Sequence, residues 1–122
     1  RGVSRLLTDR ALGRYFVAVD DAVGGERVVG CLMITTEWSD WRDGHFWWIQ
    51  SVYVVEDARR RGVYRALHEH VVAEAHEAGD VVGIRPYVEP QNARAQATYA
   101  RLGMRETYRV MEQQLSTTMR SA

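Results

Sequence analysis

The sequence has 122 residues, of which 46% are hydrophobic and 26% are charged. This balance predicts a single folded domain over residues 1–122 rather than a disordered chain. Sixteen basic side chains offset sixteen acidic ones. Net charge therefore gives no general attraction to nucleic acid or to an anionic membrane, and we expect neither as a partner. Every basic residue is arginine. This bias is typical of a GC-rich genome, and we expect a bacterial protein.

Cys31 is the only cysteine. An intramolecular disulfide and a cysteine-built metal site are therefore excluded, and the cysteine content fits a reducing cytoplasm. The sequence has no run of about eighteen apolar residues, so nothing in it is expected to span a membrane. It opens on Arg1 without a basic-then-apolar leader. We therefore expect a cytoplasmic protein whose natural chain is longer or processed.

Two runs rich in β-branched and aromatic residues, Arg14–Asp20 and Val28–Thr36, predict an antiparallel hairpin, with turn glycines inside Asp21–Arg27. A polar segment, Glu37–His45, is expected to be a loop. It leads into Phe46–Val55, whose two alternating faces are both largely apolar. That pattern predicts a strand at the centre of the sheet.

The hydrophobic period changes to that of a helix over Val63–Gly79, with Gly79 ending the helix. Val81–Val88 is then expected to be a strand. Because a long helix separates it from the central strand, the crossover rule makes those two strands parallel. Pro86 lacks an N–H and is disfavoured where strand pairing continues. The sequence therefore predicts that the two strands part near Pro86, leaving a crevice.

Asn92 is a helix-capping residue, and Gly103 ends the helix that follows it. We expect Arg105–Leu115 to complete the sheet, Ser116–Ala122 to be a frayed tail, and residues 1–9 to form a short helical piece. The inward face of the second helix is predicted to consist of Ala95, Tyr99 and Leu102.

The turn between the central strand and the long helix carries three arginines, Arg59–Arg61, followed by Gly62. The start of a helix presents unpaired backbone N–H groups and the positive end of the helix dipole, and glycine allows a ligand to approach the backbone closely. Together these features predict a phosphate-binding site. The alternative is that the three arginines are only the solvated start of a helix.

At this point the sequence resembles the GNAT superfamily of acyl-CoA-dependent N-acyltransferases. Residues Arg59–Tyr64 are similar to its signature of Arg or Gln, two residues, Gly, one residue, then Gly or Ala, and depart from it at Tyr64. Asn92–Met104 resembles a second family segment, Asn…Ala…Tyr…Leu-Gly-Phe/Met. The resemblance covers about Arg14–Leu115. We expect the first strand and first helix of the family to be absent or only partly present before Arg14.

The resemblance implies an α/β (α+β) fold with a mixed, mostly antiparallel twisted sheet that is splayed near its middle, and helices on its faces. It implies transfer of an acetyl group from acetyl-CoA to a primary amine of a small molecule or peptide, by direct attack in a ternary complex. Tyr99 would be the general acid for the departing thiolate. The residues implied for cofactor binding are Val52, Tyr53, Val54, Arg59, Arg60, Arg61, Gly62, Val63, Tyr64 and Asn92.

The general base is left open by the sequence. Gln50 stands where the family often carries a glutamate, and an amide cannot accept the proton. Bulk solvent acting on an amine of low pKa is one alternative. The side-chain candidates, acting directly or through water, are Glu37, Asp40, Asp43, His45 and Glu89.

No metal is expected. His68 and His70 fall on different faces of the predicted helix, and we expect them and His76 to be exposed. Trp38 and Trp41 alternate with acidic residues in the predicted loop. That composition would suit a cationic or aromatic amine. The alternative is that these two tryptophans, like Trp47 and Trp48, are core residues.

Two other functions stay open at this stage. One is a non-catalytic acyl-CoA-binding sensor or scaffold, which Gln50 and Tyr64 suggest. The other is a nucleotide-phosphate-binding domain, which is weaker because the chain has neither a P-loop lysine nor a GxGxxG run. The oligomeric state is also open, and the family resemblance allows a homodimer formed through the C-terminal strands.

Overall fold

The computed structural model describes residues 11–20 and 26–115. The predicted helical piece at residues 1–9, the glycines of the first turn and the tail at residues 116–122 lie outside them. The elements are β1 (Arg14–Asp20), β2 (Arg27–Ser39), β3 (Gly44–Val54), a 3-10 turn (Glu56–Ala58), α1 (Val63–Ala78), β4 (Val81–Pro86) and α2 (Ala93–Arg101).

The four strands form one sheet in the order β1-β2-β3-β4. β1 pairs with β2 and β2 with β3 in antiparallel fashion, whereas β3 and β4 are parallel. The predicted hairpin, the crossover helix and the mostly antiparallel mixed sheet are therefore confirmed. The chain divides into two compact units, residues 1–87 with the sheet and α1, and residues 88–122 with α2. The expectation of one domain stays a prediction.

The core lies between the sheet and α1. Alternate residues of the strands face the apolar side of the helix because side chains point to opposite sides of a strand. Leu32 and Val71 have no exposed surface. Gly79 has a φ of 82°, the left-handed conformation that favours glycine, and it ends α1 as predicted. The cluster comprises Phe16, Leu32, Ile34, Trp47, Ile49, Leu67, Val71 and Ala75.

The predicted loop at Glu37–His45 is wrong in extent. β2 continues to Ser39 and β3 begins at Gly44, so only residues 40–43 form the turn. The polar residues of this segment stay in strands because they lie on the exposed sides and ends of two paired strands, where a polar side chain costs little.

The prediction that both faces of the central strand are buried is wrong for the second half of β3. Phe46, Trp47 and Ile49 are buried, but residues 50–53 are exposed.

Arg105–Leu115 does not complete the sheet. No residue of this segment belongs to a strand, and apolar side chains along it are exposed, including Met111 at 95%. A strand is stabilised by pairing with a neighbour and by burying one face, and this segment does neither within the described sheet. Cys31 is a free and half-buried cysteine on β2. Within the described chain, no helix has the length and apolar character needed to cross a membrane.

The prediction of exposed histidines on α1 is wrong for His68. Its side chain is only 5% exposed, and its Nδ1 has no hydrogen-bond partner among the described residues. His68 lies one turn after Tyr64, which packs against the core, and their rings are 6.0 Å apart. The buried face of α1 is therefore wider than the stripe that the sequence suggests. Burial lowers the pKa of His68, and Glu69 acts weakly in the opposite direction.

This lowered pKa makes the stability of the fold depend on pH. The unfolded chain takes up a proton near pH 6.5, the usual histidine value, whereas folded His68 resists it. Stability should thus be fully present above that pH and fall as the pH drops from about 7 to 5. We expect His68→Leu to reduce the difference between the free energies of unfolding measured with urea at about pH 7 and about pH 5. His76→Leu, which changes an exposed histidine of the same helix, should leave it unchanged. Equal pH dependence in wild type and His68→Leu would contradict this account.

Candidate functional site

A short, anchored loop carries the chain from β3 to α1. The backbone N–H of Val55 donates to the carbonyl of Val29 at 2.9 Å, so the end of β3 stays fixed to β2. The 3-10 turn follows at once, and its Ala58 is buried. The loop therefore starts from a fixed point, which orients the residues that follow it.

A hydrogen-bonded ion pair ties the same loop to β2. Nη2 of Arg27 donates to Oδ1 of Asp57 at 2.6 Å. This hydrogen bond, together with the positive charge of Arg27, lowers the pKa of Asp57. Both side chains are largely exposed, so the pair joins the loop to the start of β2 but adds little to stability.

The start of α1 leaves its backbone donors open. Gly62 precedes the helix with a φ of 84°, and no side chain caps the helix at this end. The first helical hydrogen bond runs from the N–H of Ala66 to the carbonyl of Gly62 at 3.0 Å. A Cβ built on Gly62 would meet nothing within 4 Å among the described residues. The space beside Gly62 is therefore open, and no side chain occupies the uncapped amides at the start of the helix, as binding of a phosphate group requires.

Of the loop arginines, Arg61 reaches two oxygen atoms close by. Nη1 of Arg61 donates to the carbonyl of Asp57 at 3.4 Å, and its Nη2 lies 4.0 Å from Oδ2 of Asp20. Arg60 has a φ of 65°, a left-handed conformation that is uncommon outside glycine, and its side chain is exposed. The loop thus concentrates guanidinium groups beside the open start of the helix.

Tyr64, where the sequence departs from the family signature, turns its side chain toward the core. The ring is half-buried and packs against the core cluster. It therefore leaves free the space in front of the helix that Gly62 opens. The large residue changes the packing behind the turn rather than the surface in front of it.

The sheet opens in the middle of β3. β3 pairs with β4 only as far as Ile49 and Pro86, whereas its pairing with β2 continues to Val54. The register with β2 shifts at the same place and leaves Gln50 as an extra residue, which is a β-bulge. We call the open side of Gln50–Val54, beyond the last pair with β4, the fork. The predicted splay at Pro86 is confirmed, and the bulge adds a second cause for it.

The backbone groups of β3 divide between β2 and the fork. Because the Val55 N–H points to β2 and successive residues point to opposite edges, Tyr53 also points to β2. Val52 and Val54 then present their backbone groups to the fork. One of these groups is used already, since Nε of Arg59 donates to the carbonyl of Val54 at 2.9 Å. Arg59 also lies over the ring of Tyr53, 5.7 Å from its centroid.

The face of the sheet opposite α1 carries an aromatic and charged cluster next to the fork. Oε1 of Glu37 accepts from Nε1 of Trp48 at 2.6 Å and lies 3.5 Å from Nη1 of Arg85. Trp48 stacks on Tyr87, with ring centroids 4.4 Å apart and an angle of 21° between the planes. Arg85 lies over the ring of Phe46 at 3.4 Å from its centroid. The negative charge of Glu37 is therefore compensated by the neighbouring guanidinium of Arg85.

The structure does not gather the tryptophans and acidic residues of the β2–β3 segment into one site. Trp38 contacts the ring of His45 edge-on at 5.1 Å, on the other face of the sheet from Glu37. Trp41 is 91% exposed in the turn, between Asp40 and Asp43. His45 is 3.4 Å from Oδ2 of Asp80. Of the four tryptophans, Trp47 is buried in the core and Trp48 is half-buried.

The second unit carries the remaining predicted site residues on and before α2. Oδ1 of Asn92 accepts from the N–H of Ala95 at 3.0 Å, so the predicted cap is confirmed. Tyr99 is half-buried and shares a helix face with Ala95 and Leu102, which are also half-buried. Glu89 is exposed ahead of the helix, and its carbonyl accepts from Nε2 of Gln96 at 3.1 Å.

Sequence reasoning missed the partners of Gln50 and Trp48. Nε2 of Gln50 donates to Oγ1 of Thr35 at 3.0 Å, and Thr35 is the cross-strand neighbour of Trp48. These contacts could not be placed from the sequence, because they depend on the register between β2 and β3, and the loop predicted at Glu37–His45 is longer than the observed turn of residues 40–43. Arg85 was missed for a similar reason, since its contacts depend on the pairing of β3 with β4. Among the described residues, no group of three or more His, Cys, Asp or Glu side chains could hold a metal ion.

Comparison of the sequence and the structure with known proteins finds acetyltransferases. A protein-family model described as "Acetyltransferase (GNAT) family" matches residues 3–104. A crystal structure from Clostridium difficile 630, described as a possible acetyltransferase, is 40% identical, with a TM-score of 0.84 over 94% of this chain and 74% of that one. A search of curated protein sequences finds no match.

Two further solved structures share the architecture. One, described as a probable acetyltransferase, is 25% identical with a TM-score of 0.79, over 94% of this chain and 74% of the other. A transcriptional regulator from Bacillus halodurans C-125 is 21% identical with a TM-score of 0.76, over 94% and 73%, and shows the fold alone. The match of the family model over most of the sequence, together with the open sheet and the two motifs, shows that the chain belongs to the GNAT acetyltransferase family.

Proposed function

We propose that the chain is an N-acetyltransferase that moves an acetyl group from acetyl-CoA to a primary amine by direct attack in a ternary complex. The observation that carries the proposal is that one stretch of chain supplies two complementary surfaces. The fork offers the unpaired edge of β3, and the loop after it ends in the open start of α1 at Gly62. The fork suits the extended pantetheine arm of CoA, and the open start of α1 suits its pyrophosphate.

The pantetheine arm would lie along the fork as an added strand. Its amides can pair with the backbone groups of Val52 and with the N–H of Val54, which point away from β2. Tyr53 would contribute its ring, which supports Arg59, rather than its backbone. Arg59 would then stand at the end of the fork, between the arm and the pyrophosphate.

The pyrophosphate would be held at the start of α1. The donors are the backbone N–H groups of Gly62, Val63 and Tyr64, supplemented by the guanidinium groups of Arg60 and Arg61. Free space in front of Gly62 and the absence of a capping side chain there support this fit. Asn92 uses its Oδ1 as a cap, so a contact with the cofactor would use its Nδ2.

The chemistry requires a neutral amine, a polarised thioester and a proton for the leaving thiolate. The amine attacks the carbonyl carbon, the C–N bond forms, and the C–S bond breaks as CoA departs. Tyr99 is proposed as the acid that protonates the thiolate. No step calls for a metal or a protein nucleophile.

The fork also bears on the general base. Gly44 lies roughly 20 Å from Gln50 along β3, at about 3.3 Å per residue, and the turn carrying Asp40 and Asp43 lies beyond Gly44. These two carboxylates are therefore too far away to act directly at the fork. His45 faces the other side of the sheet and pairs with Asp80. The carboxylate of Glu37 is already bound by Trp48 and paired with Arg85. Solvent and Glu89 remain as proton acceptors in this proposal.

A thermal-shift measurement with CoA and ATP, followed by an assay of thiol release with a panel of amines, tests the function. We expect CoA but not ATP to raise the melting temperature, and at least one amine to release thiol from acetyl-CoA. CoA binding without turnover on any amine would favour a sensor or scaffold instead. A homodimer belongs to the same proposal and is tested by the mass in solution.

Amide hydrogen exchange tests the position of the pantetheine arm. Without ligand, we expect Val52 and Val54 to exchange quickly, because their N–H groups face the fork, and Tyr53 and Val55 to be protected by β2. Among these four amides, CoA should then slow exchange only at Val52 and Val54. Uniform protection across the four amides without CoA would argue for a closed sheet.

A further inference from the structure

Resting on the proposed function, we propose that Gln50 and the stacked pair Trp48–Tyr87 form the acceptor surface, and that this surface selects an uncharged amine on a planar aromatic body. Three observations support this selection: the hydrogen bonding of Gln50, the stacking of the two rings, and the compensation of charge around them.

Gln50 is placed to hold an amine but not to deprotonate it. It is exposed at the bulge, where pairing with β4 ends. Its Nε2 donates to Oγ1 of Thr35 at 3.0 Å, which leaves its Oε1 to accept from a ligand. An amide oxygen accepts a hydrogen bond but does not take up a proton at neutral pH. Thr35 acts as a positioning residue because it fixes the direction of this oxygen.

The ring pair lies directly beside Gln50. Trp48 is two residues before it on β3, a separation of about 7 Å. Trp48 and Tyr87 stack with centroids 4.4 Å apart, and Tyr87 is 57% exposed. The pair therefore offers a flat apolar surface that a further ring can extend. Nε1 of Trp48 is bound to Glu37, which prevents the indole from rotating freely.

The charges around this surface do not favour an ammonium group. Glu37 of β2 is the carboxylate beside Trp48, and it is partnered by Arg85 of β4 at 3.5 Å. An ammonium placed there would meet the guanidinium as well as the carboxylate. Asp40 and Asp43 lie more than roughly 20 Å from Gln50 along β3. Within this face of the described sheet, a cation thus finds no uncompensated counter-charge near Gln50.

An uncharged amine also suits the chemistry. Its lone pair is available for attack on the thioester carbon without prior loss of a proton. The N–C bond forms and the C–S bond breaks, CoA leaves as a thiolate that takes up one proton, and the extra proton on nitrogen passes to solvent. A site without a base can complete this sequence with an amine of low pKa.

Three acceptors separate ring recognition from charge: aniline, benzylamine and cyclohexylamine, each assayed with acetyl-CoA at pH 7 by thiol release. Aniline is planar and uncharged, benzylamine has the ring with a charged nitrogen, and cyclohexylamine has the charge without the ring. We expect kcat/KM for aniline to exceed that for cyclohexylamine by about 10-fold or more, with benzylamine between them. Faster acetylation of cyclohexylamine than of aniline would overturn the proposal.

Single substitutions test which residues cause the preference for aniline. We expect Gln50→Leu to lower kcat/KM for aniline roughly 3- to 10-fold, the range for loss of one hydrogen bond, and Thr35→Val to lower it less. Tyr87→Leu should raise KM for aniline by a similar factor. Trp41→Leu removes an exposed tryptophan from the distant turn and should change nothing. Equal rates in wild type, Gln50→Leu and Tyr87→Leu would overturn the assignment.

A base added at the same position gives an independent readout. Gln50→Glu should raise the rate with benzylamine and add a limb to its pH profile that wild type lacks, because a carboxylate can take the proton. An unchanged profile would show that position 50 does not face the acceptor. The shift in melting temperature with CoA should be the same in all these variants. If CoA produces no shift even in wild type, the proposed function itself fails rather than this inference.

Discussion

Gly62→Asp is expected to weaken CoA binding by about 100-fold. The new side chain would extend into the free space in front of α1, where a Cβ meets nothing within 4 Å among the described residues. Its carboxylate would then face the pyrophosphate, and like charges brought together at a binding site cost several kcal/mol. The positive φ of Gly62 strains any other residue, but Asp is among those that tolerate it best, so the fold should survive the change.

The measurement is the rise in melting temperature with CoA. At a CoA concentration 100 times the wild-type Kd, binding adds about 2.7 kcal/mol to stability, whereas a 100-fold weaker Kd leaves about 0.4 kcal/mol. The rise should therefore almost disappear in the variant. Gly62→Asn is the matched control, since Asn has nearly the same size and also tolerates a positive φ but carries no charge.

The two variants together decide the cause. Retention of most of the rise by Gly62→Asn and its loss by Gly62→Asp would assign the effect to charge at the phosphate site. Loss in both would assign it to crowding of the backbone. If Gly62→Asp bound CoA as well as wild type does, the pyrophosphate could not lie at the start of α1.

The parts of the fold that the sequence predicts are those with a long regular pattern. α1 shows its helical period over four turns and ends at a glycine with positive φ, so both its face and its end could be placed. The separation of β3 from β4 could be predicted from Pro86, because proline has no N–H to donate to a neighbouring strand. These are local properties that do not depend on the rest of the chain.

Features that depend on tertiary neighbours escaped prediction. The bulge at Gln50 has no residue signature, since it comes from the register between β2 and β3. His68 is polar and on a helix, and only packing around Tyr64 shows that it is buried. Arg105–Leu115 has residues typical of a strand, but the described sheet supplies it with no partner. The proposed acceptor surface rests on contacts of this kind, and the sequence could therefore name only single residues of it.

Tyr99→Phe is expected to lower kcat by about 10- to 100-fold while leaving CoA affinity nearly unchanged. The substitution keeps the half-buried ring on α2 and removes only the hydroxyl. A thiolate is a fairly good leaving group, so a proton donor helps without being indispensable, and the effect should fall at the low end of the roughly 10²–10⁴-fold range for general acids or just below it. Affinity should persist because the lost interaction forms mainly in the transition state.

Steady-state thiol release and the CoA-induced rise in melting temperature, measured on the same preparations, separate catalysis from folding. Tyr15→Phe is the matched control, because it removes the hydroxyl of another half-buried tyrosine, on the edge strand β1 two strands away from the fork, and should leave both readouts unchanged. A tyrosine that serves only packing would give a different pattern. Its loss would lower the melting temperature of the free protein, whereas the folded fraction would keep full turnover. That pattern in Tyr99→Phe would remove Tyr99 from the reaction and leave solvent to protonate the thiolate.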